Sequence, residues 1–288
     1  MSKLLLLLAF AQTDGLTVER RVRVVSRDTV GKASEYVRTE VVRIQGGNVA
    51  IDDVTFGARL VIRPDKALAW VIDVQGATYS ELDFAAVAKR RAQELANLAD
   101  AKKRVAGTQD ADDIERVMIG LGTYASPPSV AVKETGREEK IAGRACSGRS
   151  IVVNETDVAF DVFVDPSLAD GLAYFDALAA VGGFHPDVAA KLKTLGGFPL
   201  KGKVRYALFL DRVFCEEEAT AVTRGPIGAA DFDLPSGLKK VPLKGFDPDS
   251  GPKPEKPKNF AHTFREDDIE RDTNPLKKPE KKEPEKDR

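Results

Sequence analysis

Apolar side chains recur at every second position through most of the segment from about residue 14 to 80, the mark of strands that bury one face. TVERRVRVVSRD, SEYVRTEVVRIQGG, NVAIDDVTFG and ARLVIRPDKALAWVIDVQGATYSE are rich in β-branched residues and are parted by Gly, Asn and Asp turns. In ALAWVIDV, Leu68, Trp70, Ile72 and Val74 fall on one face, and Ala67, Ala69 and Asp73 on the other. The pattern predicts a strand with one heavily apolar face and one light face, bracketed by turns at Asp65-Lys66 and Gln75-Gly76.

The period then changes. Over residues 83–105, Phe84, Ala88, Ala92, Leu95 and Ala99 form a helical stripe with Val87 and Leu98 beside it, and Gly107 closes the helix. ADDIERVMIGLG predicts a second helix. Residues 127–164 return to alternation, with Val158, Phe160, Val162 and Val164 opposed to Asp157, Ala159 and Asp161. Two short helices follow: LADGLAYFDALAAVGG ends on a glycine pair, and HPDVAAKLKTLGG carries Pro186 in its first turn and Gly196 past its end. GFPLKGKVRYALFLDRVFCEEEATAVTR predicts a long strand pair, with Val204, Tyr206, Leu208 and Leu210 on one face. The order of strands, helices, strands, helices and strands is that of an α+β domain.

Composition sets the limits of this reading. The chain has 288 residues, 42% of them hydrophobic, enough for one large domain or two small ones. Lys and Arg number 44 against 45 Asp and Glu, which favours neither a nucleic-acid groove nor an anionic membrane surface. No stretch reaches the roughly 18 apolar residues of a membrane-spanning helix. Met1 to Ala11 resembles a short signal peptide, with Lys3 as the charged region and Ala9-Phe10-Ala11 as the cleavage site, and the alternative is a buried first strand or helix turn, or a start codon assigned too late. These features predict a periplasmic or secreted protein with a domain over 13–245. The Pro-, Lys- and Glu-rich segment 246–288 predicts a disordered tail.

Candidate chemistry is sparse. Histidine occurs twice, and His185, just before Pro186, reads as a helix-entry residue rather than a general base. The acidic run TQDADDIE lacks the glycine and distal glutamate of a calcium loop, and Glu216, Glu217 and Glu218 read as an exposed strand end. Arg63, Arg144 and Arg149 are scattered, with no phosphate motif around them. No cofactor or metal site is predicted. Cys146 and Cys215 either pair, closing a loop of about 70 residues, or are unpaired buried thiols.

RPDKALAWVIDVQGATYSEL resembles a hairpin of the LolA-like, LppX-like half-barrel superfamily. DFDLPSGLKKV, with Phe232, Pro235 and Gly237, resembles the closing segment of that superfamily. EEKIAGRACSGRSIVV and ETDVAFDVFVDP resemble a strand pair of a secreted bacterial family of unknown function assigned to it. The resemblance implies a curved antiparallel sheet, an unclosed half-barrel, with helices on the concave face. It also implies a non-enzymatic protein whose groove holds a lipid or a lipoprotein acyl chain. Leu68, Trp70 and Ile72 would then lie under the helices, and Phe160, Val162, Tyr206 and Leu208 are the other expected lining residues. The alternative is an envelope interaction or sensing module that engages a partner through the sheet and the tail.

Overall fold

One twelve-stranded sheet organises the molecule. In the computed structural model the described residues are 14–27, 33–107, 128–153, 158–206 and 213–243. The chain divides into a unit over residues 1–249 and another over 250–288, and every described residue belongs to the first. The expected signal segment, the helix at ADDIERVMIGLG, Leu208 and the tail lie outside the described residues.

The first strands are β1 (Gly15–Arg27), β2 (Ala33–Gln45), β3 (Asn48–Asp53), β4 (Ala58–Arg63), β5 (Leu68–Asp73) and β6 (Thr78–Asp83). They form an antiparallel meander that runs outward from β1. After helix α1 (Phe84–Arg104), the chain resumes at the opposite edge with β7 (Val130–Ile141). It then returns through β8 (Arg144–Val153), β9 (Val158–Asp165), β10 (Phe198–Tyr206) and β11 (Val213–Gly225). β11 pairs antiparallel with β1 and so joins the two meanders. The two-residue β12 (Lys239–Lys240) lies parallel along the outer edge of β6. The sheet is curved and unclosed, with β12 at one edge and β7 at the other.

Local chemistry explains the elements. Gly46 and Gly47 both take positive φ, of 58° and 84°, as a two-residue hairpin between β2 and β3 requires. Asp83 caps α1, its Oδ1 accepting from the amides of Ala85 at 2.7 Å and Ala86 at 3.1 Å. Helices α2 (Ala173–Ala180) and α3 (Pro186–Leu192) follow β9, α3 beginning at proline as expected. Register shifts at Glu19/Arg20, Glu134/Glu138 and Pro199/Lys201 interrupt the ladders where extra residues are accommodated. Such bulges increase local twist and bend the sheet.

Both faces of the first meander are apolar, and each has its own cover. Register places Leu16, Ile44, Val49, Ile62, Ala69 and Leu82 in one cross-strand row, within the main core that includes Tyr174, Phe175, Val188 and Leu192 from α2 and α3. The opposite face carries Ala50, Val61, Trp70 and Ile72, and these pack with Ile227 and Phe232 in a separate cluster. This corrects the expected placement of Leu68, Trp70 and Ile72. They lie on the outer face, beneath the segment after β11, whereas Ala69 occupies the helix-covered side. Alternation found the two faces of β5 but could not say which one meets the helices.

Candidate functional site

The concave face of β1, β2 and β7–β11 carries two adjacent cross-strand rows of different character. Val24 lies opposite Tyr36 on β2 and Cys215 on β11. The same level continues through Val204, Phe160, Ile151 and Val132. This row crosses seven strands without a charged residue. Val24, Cys215, Phe160 and Val132 are half-buried, Ile151 is buried, and Tyr36 is 46% exposed.

Two residues along each strand, the row changes to Arg38, Val22, Glu217, Gly202, Val162, Arg149 and Glu134. Beyond it, Arg20 lies opposite Glu40. These charges form an interior network. Arg20 Nε donates to Glu40 Oε2 at 2.8 Å, Arg20 Nη1 pairs with Glu217 at 2.9 Å, and Nη2 donates to the Tyr174 hydroxyl at 3.1 Å. Arg38 reaches the second Glu40 oxygen at 2.7 Å and Asp53 at 3.7 Å. The Glu40 side chain is only 4% exposed, so its two arginines are the compensation for its burial. Burial works against the Arg20 charge, but Glu217, Tyr174 and Glu40 outweigh it and hold the guanidinium protonated well above its ordinary range. The network also fastens α2 to the sheet through Tyr174, over whose ring the Arg20 guanidinium lies.

Phe160 and Val162 therefore share the concave face, whereas Tyr206 is placed only by its backbone, opposite Val158, and its side chain lies outside the described ones. Leu68, Trp70 and Ile72 do not join them. Arg20, Arg38, Glu40 and Glu217 were missed by the sequence reading. Their signal was present: in β2, Tyr36, Arg38, Glu40, Val42 and Ile44 alternate on one face, so two charges occupy inward positions. Glu217 is accordingly not part of an exposed strand end.

The outer side of these strands is ionic. Arg23 bonds Glu35 at 2.8 Å and Glu216 at 2.9 Å, Lys203 bonds Glu216 at 2.7 Å, and Lys201 reaches Glu139 at 2.7 Å. A groove of about 540 Å³ runs over this ladder, with Phe163 and Arg137 on one wall.

The remaining candidates have structural partners. Both cysteines are free thiols. β9 and β10 separate their strands, a span of three spacings or about 14 Å, whereas a disulfide needs Cα atoms within about 7 Å. The expected alternative of a Cys146–Cys215 bridge is thereby corrected. Burial, followed by the nearby Glu217, pushes the Cys215 thiol up to about 11. His185 caps α3, its Nδ1 accepting from the Asp187 amide at 3.2 Å, and burial lowers its pKa. Arg144 pairs with Asp165 and Ser167, Arg149 with Glu134, and Arg63 with Asp65 and Asp233. Among the described residues no group of three or more His, Cys, Asp or Glu side chains could hold a metal ion. No helix in them is long and apolar enough to cross a membrane.

No family model and no curated protein matches the chain. Solved structures that overlap it include an uncharacterized conserved protein from Thermus thermophilus, at 8% identity and TM-score 0.37, covering 78% of this chain and 91% of that one. A LolA superfamily protein from Nitrosomonas europaea overlaps at 10% identity and TM-score 0.30, covering 78% and 92% of the two chains. A DUF1329 family protein from Desulfovibrio piger does so at 9% identity and TM-score 0.31, covering 77% and 91%. Superpositions of this quality assign no ligand or activity to the chain.

Proposed function

We propose that the protein is an exported, non-enzymatic binding protein that holds a lipid or other apolar ligand on the concave face of its half-barrel. The observation that carries this reading is the uncharged row from Tyr36 to Val132, part of which is open to solvent. Six strand spacings of about 4.8 Å give the row an arc of about 29 Å. Covering a sixteen-carbon chain there contributes about 12 kcal/mol gross, at about 0.8 per methylene, and far less after ordering costs. The adjoining charged row suits an amphiphile. Arg38 Nε is buried without a hydrogen-bond partner among the described residues, and it is a donor that a polar head could use.

The test is purification without detergent followed by mass spectrometry of extracted lipid. A stoichiometric acyl-chain species is expected, and it should be lost from Tyr36→Asp combined with Phe160→Ser. A ligand-free extract from folded native protein overturns the reading. A second reading, an envelope interaction module, draws on Val54, Phe56 and Val74, which are 61%, 54% and 59% exposed at hairpin tips. Under it, Phe56→Ser or deletion of residues 247–288 abolishes partner capture while copurifying lipid is unchanged.

A further inference from the structure

After β11 the chain doubles back across the outer face of β3–β6. Ile227 and Phe232 are 7% and 4% exposed and pack on Ala50, Val61, Trp70 and Ile72, with Leu234 and Leu238 at the margin. None of these residues belongs to the core under the helices.

The segment is held by charges of complementary sign. Arg63 Nη1 donates to the Phe232 carbonyl at 2.9 Å and to Asp233 at 2.7 Å, and Lys66 reaches Asp233 at 3.3 Å. Arg59 donates to the Asp231 carbonyl, and Lys66 also lies 5.4 Å over the Trp70 ring. At the far end the attachment is short. The Lys239 amide donates to Ala77 at 3.0 Å, the Val241 amide to Tyr79 at 2.8 Å, and Lys240 pairs with Glu81 at 3.1 Å. Trp70 Nε1 donates to the same Glu81 at 3.4 Å.

We propose that residues 227–241 are a releasable cover over a second apolar face centred on Trp70, and that opening it frees the β6 edge for an extended peptide. Three features make the opening local. The buried cluster is separate from the main core, the ion pairs of the clamp all end on the half-exposed Asp233, and the strand attachment is two residues long. The acceptors released are the carbonyls of Ala77, just before β6, and of Tyr79 within it, which now take a parallel strand, and the apolar pocket lies beside them. An extended peptide whose apolar and acidic side chains replace Phe232 and Asp233, and whose backbone amides replace those of Lys239 and Val241, satisfies both. This inference is independent of a ligand on the concave face.

Hydrogen exchange on the full-length protein, read by mass spectrometry, tests it. The Lys239 and Val241 amides should exchange at least about tenfold faster than those of β3–β5, the behaviour of a sub-global opening. Arg63→Gln should accelerate the cover by about another tenfold, leave β3–β5 unchanged and raise acrylamide quenching of Trp70, the chain's one tryptophan. A fluorescein-labelled peptide of residues 227–241 should bind the Arg63→Gln protein more tightly than the native one. Exchange of cover and sheet in step, in both proteins, overturns the release. Opening without peptide binding overturns the edge as its receptor. If Arg63→Gln does not fold, Asp233→Asn removes the same clamp from the other side and is read in the same way.

Discussion

Glu40→Ala tests whether the interior charge network is held by mutual compensation. In the native protein the Glu40 carboxylate takes Arg20 at 2.8 Å and Arg38 at 2.7 Å, with its side chain 4% exposed. Truncation leaves Arg20, 12% exposed, with Glu217 and Tyr174, and leaves Arg38 with the longer contact to Asp53. Removing one partner of a buried pair costs about 3–5 kcal/mol, because the other charge remains buried. Arg20 keeps a second carboxylate, so the expected loss is at the lower end, about 3 kcal/mol. That is a large part of the roughly 5–15 kcal/mol that holds a domain folded. Urea unfolding followed by far-ultraviolet circular dichroism measures it, with the midpoint lowered and the slope unchanged. Glu94→Ala, which removes an exposed helical pair with Arg90, is the control and should cost no more than about 0.5 kcal/mol. The reasoning is refuted if Glu40→Ala costs as little as the control. Replacing Arg20 by methionine as well should recover none of the loss, since Glu217 then loses its arginine too.

Four further outcomes are expected. Thiol titration in denaturant should count two free cysteines, and a reductant should leave the unfolding midpoint unmoved; a bridge detected without reductant contradicts the register. In the folded protein Cys215 should alkylate about a hundredfold more slowly near pH 8 than an ordinary thiol, because its pKa stands near 11 rather than 9.0. His185 has a folded pKa below its unfolded one, so the unfolded chain binds the proton more tightly. Its contribution is full above the unfolded value, near 6.5, and is lost as pH falls through the window beneath it. Asn at this position keeps a cap and should flatten that part of the stability profile; an unchanged slope contradicts the assignment. Gly197→Ala should destabilise by about 1–3 kcal/mol, since its new Cβ would collide with the Asp165 backbone carbonyl, and a neutral result in the same urea assay contradicts the packing.

What the sequence determined by itself was local. Two-residue periodicity marked the strands, and Pro186, Gly46-Gly47 and Gly196 marked a start, a turn and a stop, because those signals depend on backbone geometry within a few residues. The α+β class followed from the order of elements, and the curved open sheet from the resemblance to the half-barrel superfamily. Tertiary structure decided which face is which. In β5 both faces are apolar, so periodicity admits either orientation, and only the partners separate Ala69 under the helices from Trp70 under the chain's later return. The same is true of charge. Arg20 and Glu40 lie twenty positions apart and Glu217 far beyond, and only the β1–β2 and β1–β11 registers bring them together. Register between distant strands arises from the whole sheet's packing, and no short stretch of sequence contains it.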